Sequence, residues 1–492
     1  MTAKYDVGKH IRFEQKCIRA HWSEAATKWF VTIRDLKTGL IYEDNSDILM
    51  TGEGVLNEWK WPDIEGLDRF QGTLLHSANW EAQFDPKVRI ASWRSAFLNL
   101  FYTFKLTNLL QDKSVAVIGA GSSGIQIVPA LEPAVRSMDH YVRGRTWISS
   151  THGAEEIKRR TDGKGGNPSY TIEEMELWDN NRDAYLEYRR GLELQMQSRI
   201  AITFSGSPQQ AEAYARFTAD MKRRLQNKPE IIEHLIPTFS PLCKRLTPGP
   251  GYLEALTSPK VNVIPTAISH VDERGIFTID GVHRPVEAIV CATGFQTSPG
   301  ARGFPIYGRE GINLRERYAQ RPETYLGLCT GKFPNFFQSL GPNGFQGAGN
   351  LLIMIEATHS YVGQILEKMA YENVGIIEPK GKSVDAFTNY CEEYFQRTVY
   401  VEECDSWYKS APPGSSREEK RRGRVTAIWP GSSLHAVRTM RSVRWEDFNM
   451  QSYDGNDFGW FGNGTTAAER NPTPENIKDF TWYLDSTNIL KE

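Results

Sequence analysis

The chain has 492 residues, 58 basic and 60 acidic, and 40% of its residues are hydrophobic, enough for two or three domains with large cores. No long run of one charge marks a nucleic-acid or membrane-surface partner, and none of the six cysteines forms a CxxC pair, which argues against zinc or a disulfide framework and fits a reducing, cytoplasmic compartment. The N-terminal MTAKYDVGKHIRF holds no apolar leader, and the most apolar stretch, Ser95 to Leu110, is interrupted by Lys105 and too short to span a bilayer.

In chain order, residues 11–22, 28–36 and 40–50 read as consecutive strands, with Thr38-Gly39 turning the second into the third. Residues 113–121, KSVAVIGAG, form a buried strand entering a glycine turn; 122–135 form the helix after it, and 138–143 the next parallel strand. Residues 169–234 are helical in pattern, charged and rich in aromatics. Strands return over 260–292 and end in AIVCATGF; loops are expected at FPNFF, GPNG and APPGSS. The alternation predicts an α/β chain with a helical insert.

The turn Gly119-x-Gly121-x-x-Gly124 has its own physics. Gly119 permits the tight turn, Gly121 lets a pyrophosphate reach the backbone, and Gly124 lets helix and strand pack closely. The helix start at Ser122, Ser123 and Gly124 offers N–H groups and a positive dipole end to that phosphate. At the end of the next strand stand Arg143 and Arg145, where an NAD site would place an acid. Charge complementarity favours NADPH; the alternative is that both arginines are solvated surface charges.

Upstream, Phe70-x-Gly72-x-x-x-His76-x-x-x-Trp80 precedes the glycine turn, and downstream lies CKRLTPGPGYLEAL, Cys243 to Leu256. These motifs, in this order, resemble those of the Baeyer–Villiger monooxygenases over nearly the whole chain. The resemblance implies two dinucleotide-binding, Rossmann-like domains, FAD and NADPH as cofactors, and a ketone and O2 as substrates. Such enzymes reduce FAD with NADPH, form a flavin peroxide with O2, and convert a ketone to an ester or lactone. It implies that Arg245 is the catalytic cation, that Lys244 and Arg245 contact NADP, and that His76 coordinates hinge motion and NADPH positioning near the domain interface. Arginine suits the catalytic role because a guanidinium is always charged and can hold a peroxide anion and a developing alkoxide together. The wording of the C-terminal half is similar to that of fungal secondary-metabolism members of the polyketide type. Cys291–Phe295 resembles the hinge strand, Phe333–Gly344 the loop approaching the flavin, and Ser406–Lys409 the mobile substrate-pocket segment.

The expected organisation is a partial FAD domain with linker at 1–86, an anomalous insert at 87–111, the NADP domain at 112–160 and 239–290 around a helical insert at 161–238, and the second FAD part at 291–492. Two departures from the family pattern accompany it. The family's first glycine turn, acidic ribose contact and active-site Asp have no counterpart before Phe13, so the FAD domain is expected to be incomplete at its N-terminus, as from a missing exon, and to bind FAD weakly. Val88 to Gln111 interrupts flanks that the family joins almost directly; a retained intron and a real amphipathic helix are the two readings. Two other functions stay open: a class B flavin hydroxylase of nitrogen or carbon, and a non-catalytic NADP-binding remnant.

Overall fold

The computed structural model describes residues 2–80, 109–149, 153–161, 169–299 and 303–484. β1 (Gln15–Ser23), β2 (Lys28–Asp35) and β3 (Ile41–Ser46) form an antiparallel meander. The expected turn at Thr38-Gly39 is present. Gly39 takes φ 76°, and the Asp35 carboxylate accepts the Lys37 and Thr38 N–H groups at 2.8 Å each.

The third expected strand is two. The chain leaves the meander at Asp47, whose carboxylate pairs with Lys28 at 2.9 Å and whose carbonyl accepts the Asn335 side-chain amide at 2.9 Å. β4 (Leu49–Thr51) then enters a different sheet.

A five-stranded parallel sheet organises the middle of the molecule. In chain order its strands are β5 (Thr73–His76), β6 (Ser114–Ile118), β7 (Ser137–Tyr141), β8 (Val261–Ile264) and, after the hairpin strands β9 (Ile268–Val271), β10 (Gly275–Thr278) and β11 (His283–Pro285), β12 (Ala288–Cys291). In space the order is β8-β7-β6-β12-β5. Parallel strands covered on both faces read as continuous apolar runs, and β6 alternates between two cores accordingly. Val115 and Val117 join the core built on α1 (Gly124–Leu131); Ala116 and Ile118 join the one under the β9-β10-β11 sheet.

The helical insert is present as α2 (Ile172–Asn180), α3 (Arg182–Gln197) and α4 (Pro208–Arg224). α4 sends Ala213, Phe217 and Met221 into the first core. α2 and α3 bury no residue.

β13 (Ile306–Tyr307) returns the chain to the edge of β1 in parallel. The loop expected at FPNFF is instead a bend into β14 (Phe336–Gln338), which pairs in parallel with β4. The bend is made by the residues that suggested a loop. The Pro334 carbonyl accepts the Trp29 indole N–H at 2.8 Å, and Asn335, at φ 54°, ties Asp47, Gly375 and Ile377 through its side chain. Phe336 and Phe337 are then buried. α5 (Leu351–Tyr371) follows. Among the described residues no helix is long and apolar enough to cross a membrane. Most of the expected insert at 87–111 lies outside the described residues; at its end, Leu110 is fully buried in the α1 core.

Gly124 is where the fold leaves least room: a Cβ there would stand 1.9 Å from the Gly119 carbonyl oxygen. Gly124→Ala should lower stability by about 1–3 kcal/mol, seen as a lower Tm in thermal melts followed by circular dichroism. An unchanged Tm would contradict the close approach of helix and turn.

Candidate functional site

The glycine turn joins β6 to α1. Gly119 takes φ 111° and its N–H donates to the Tyr141 carbonyl at 3.0 Å; a Cβ would press on the Ala292 carbonyl at 2.5 Å. At Gly121 a Cβ would meet nothing within 4 Å, so the backbone is open on the side where a phosphate could approach. Ser123 is the N-cap of α1 and makes no side-chain capping bond; the next N–H groups, of Ile125 and Gln126, donate to the Gly121 and Ser123 carbonyls at 3.1 Å each. Ser122, exposed, shares a hydrogen bond of 3.2 Å with the Thr247 hydroxyl. A small pocket, mostly lined by buried side chains, lies between Ala120, Val142, Gly144, Thr146 and Tyr252. These features fit an NADP pyrophosphate in the turn, with its adenosine toward the end of β7.

The two arginines expected there are both exposed and free of ion pairs among the described residues; one Arg145 nitrogen donates to the Ile236 carbonyl at 3.3 Å. Lys244 comes to the same place from far along the chain and donates to the Thr146 hydroxyl at 3.0 Å. Burial lowers its pKa, and the Asp405 carboxylate acts against that.

Arg245 is exposed, and among the described residues nothing bonds its guanidinium. Its charge acts on the Tyr408 phenol, which burial pushes up to about 12 while Arg245 pulls it back. Tyr408 belongs to the segment expected to be mobile, 406–409. In the fold that segment is pinned at Lys409, which donates to the Glu402 and Arg421 carbonyls.

A disulfide, Cys243–Cys404, joins the two segments immediately before Lys244 and before Asp405, with both sulfurs fully buried. The expectation that the cysteines would not pair is therefore corrected. The partners stand 161 residues apart, and spacing that long leaves no motif to read.

His76 ends β5 and is fully buried. Its Nδ1 accepts the Ala78 N–H at 3.1 Å, so the neutral ring carries its proton on Nε2 and donates to the Thr293 hydroxyl at 3.2 Å. It stacks on Trp59 at 4.4 Å and meets Trp61 edge-on at 5.7 Å. Burial pushes its pKa down to about 4. It is thus a neutral joint between the 59–61 linker and the hinge strand, without a proton to trade near neutrality. The rest of the fingerprint supports it. Phe70 folds over Gly72, where a Cβ would stand 2.5 Å from the ring, and Trp80 packs on the α1 core. Sequence reasoning passed over Trp59, Trp61 and Thr293; the W-x-W spacing was the available signal.

A second concavity lies at the C-terminal ends of the parallel strands β4 and β14. A pocket with room for little more than a water molecule or two is bounded there by Thr51, Glu53, Gly54, Gln338 and Arg315. Strand ends of this kind take nucleotides in α/β proteins.

No protein-family model matches the chain. It is 32% identical over 483 residues to the FAD-binding monooxygenase tazF of Aspergillus terreus, covering 98% of this chain and 79% of that protein. It is 31% identical over 489 residues to the FAD-binding monooxygenase moxY of Dothistroma septosporum, covering 99% and 71%. A Baeyer–Villiger monooxygenase of Pseudomonas aeruginosa is 29% identical over 414 residues, covering 83% and 68%. Among solved structures, cyclohexanone monooxygenase from Rhodococcus bound to NADP+ shares the fold at TM-score 0.67 and 23% identity, over 92% of this chain and 82% of that one.

Two outcomes follow from this geometry. His76 and the fully buried His140 both have folded pKa values pushed to about 4, against 6.5 for the free ring. The unfolded chain therefore binds more protons between those limits. Stability is full above pH 6.5 and is lost as pH falls toward 4. Between pH 7 and 5, His76→Gln should remove about 2 kcal/mol of that fall, read from urea unfolding at the two values; an equally steep fall in the variant would show that His76 titrates normally. Cys404→Ser should lower stability by about 2–5 kcal/mol in the same assay, and a non-reducing peptide map that finds free thiols at 243 and 404 would remove the bond.

Proposed function

The chain belongs to the FAD-binding monooxygenase family, and on that premise we propose that it uses NADPH, FAD and O2 to insert one oxygen atom beside a ketone carbonyl, giving an ester or lactone in fungal, polyketide-type secondary metabolism. The observation that supports this reading is that Lys244 reaches Thr146, just past β7, while the adjacent Arg245 stays exposed with its charge acting on Tyr408.

A bound FAD, reduced by NADPH, would activate O2, one atom of which goes to the ketone and the other to water. Arg245 then holds the negative charge that develops on the ketone oxygen; a fixed, always protonated fork does this without waiting for solvent to reorganise. Arg143 and Lys244 hold the NADPH phosphate. His76, neutral and clamped by Trp59 and Thr293, keeps the hinge strand in register with the glycine turn. We place the enzyme in the cytoplasm on its four free cysteines; the one disulfide is buried on both sides, out of a reductant's reach in the folded chain.

Arg245→Ala should leave NADPH oxidation within a few-fold of the parent and cut ester formation by about a hundredfold or more. The assay is labelled O2 incorporation into a ketone substrate panel by mass spectrometry, alongside NADPH consumption. Ester formed by the variant at the parent rate would take Arg245 out of the reaction.

A further inference from the structure

The end of β7 carries more charge than Arg143 and Lys244 supply. Asp405 and Arg417 approach Gly144 from the C-terminal region. An Asp405 oxygen and an Arg417 nitrogen lie 3.7 and 3.9 Å from the point where a Cβ on Gly144 would stand. The guanidinium meets the carboxylate side-on, Nε to Oδ1 at 3.2 Å and Nη2 to Oδ2 at 2.5 Å. Lys244 feels both groups, Asp405 raising and Arg417 lowering its pKa.

We propose that Arg417 is a ligand of the adenosine 2′-phosphate of NADPH, held by Asp405 so that its free edge faces that phosphate beside Arg143 and Lys244. This rests on the reading of residues 119–145 as the NADP site. An arginine has five N–H donors in a rigid fork. Asp405 takes the Nε edge, and three N–H groups remain for a phosphate. The charges are also complementary: Arg143, Arg145, Lys244 and Arg417 outnumber the one Asp405 carboxylate, leaving a positive rim for a phosphate monoester of about −1.5 to −2. An isolated, half-exposed Asp–Arg pair contributes little to stability, so the pair's value lies in where it holds the guanidinium. Arg417 is supplied by the same segment as Tyr408, so cofactor recognition and the surroundings of Arg245 are set by one stretch of chain.

The test is calorimetric binding of NADP+ and of NAD+ to the 492-residue chain, which needs no turnover. Arg417→Gln should weaken NADP+ by roughly tenfold or more and leave NAD+ unchanged. Arg417→Lys should fall between, since an ammonium keeps the charge and loses the fork. If Arg143→Ala weakens NADP+ and Arg417→Gln does not, the inference falls and the NADP site stands. Equal weakening of both cofactors by Arg417→Gln would mark a structural role and also overturn it. If the parent binds both cofactors alike and Arg143→Ala changes nothing, the reading of the site itself fails.

Discussion

Everything around the candidate site depends on the register of one strand. β12 is paired on both edges, so that Cys291 stands level with His76 on one side and with Ile118 on the other. Continuing past Cys291, the chain lays the Ala292 carbonyl against Gly119 and the Thr293 hydroxyl against His76. The fingerprint and the glycine turn are thus two faces of one seam. A slip of one residue would exchange the two sides of the strand and unmake both contacts. Because all four residues of β12 are buried, the alternatives are costly, and the register is strongly specified.

Charge is treated differently in the two halves of the site. Within the parallel sheet it is excluded: His76 and His140 are buried as neutral rings, each with both ring nitrogens engaged. At the rim of β7 it is gathered from separate parts of the sequence and left partly unneutralised. A neutral joint keeps its geometry across the working pH range, while an excess of cations near solvent draws in an anionic cofactor. The disulfide joins the segments that deliver Lys244 and Asp405 to that rim.

Local signals were legible in the sequence and distant ones were not. The meander, the glycine turn, the parallel strand after it and the helical insert are all announced by residues close together in the chain. The strand break at Asp47 is not, because it is caused by Lys28 and by Asn335, the latter 288 residues away. The bend at Pro334-Asn335 reads as a loop until Trp29 and Gly375 are seen to satisfy it. Of the arginine pair, composition could not say that Arg145 would reach the Ile236 carbonyl, 91 residues away. The Cys243–Cys404 pair, lacking any spacing rule, was invisible for the same reason.

That bond also changes the topology of the molecule. Residues 243–404 become a covalent ring holding β8 through β15 (Val374–Pro379) and α5, while the glycine turn and the fingerprint lie outside it. Pulled from its two ends, the chain could pay out only what lies outside the ring. Its 161-residue separation, about 550 Å of extended chain, would stay hidden from the force until the sulfurs part. In mechanical terms the protein is a loop with two tails, and the catalytic arginine candidate sits two residues inside the knot that closes it.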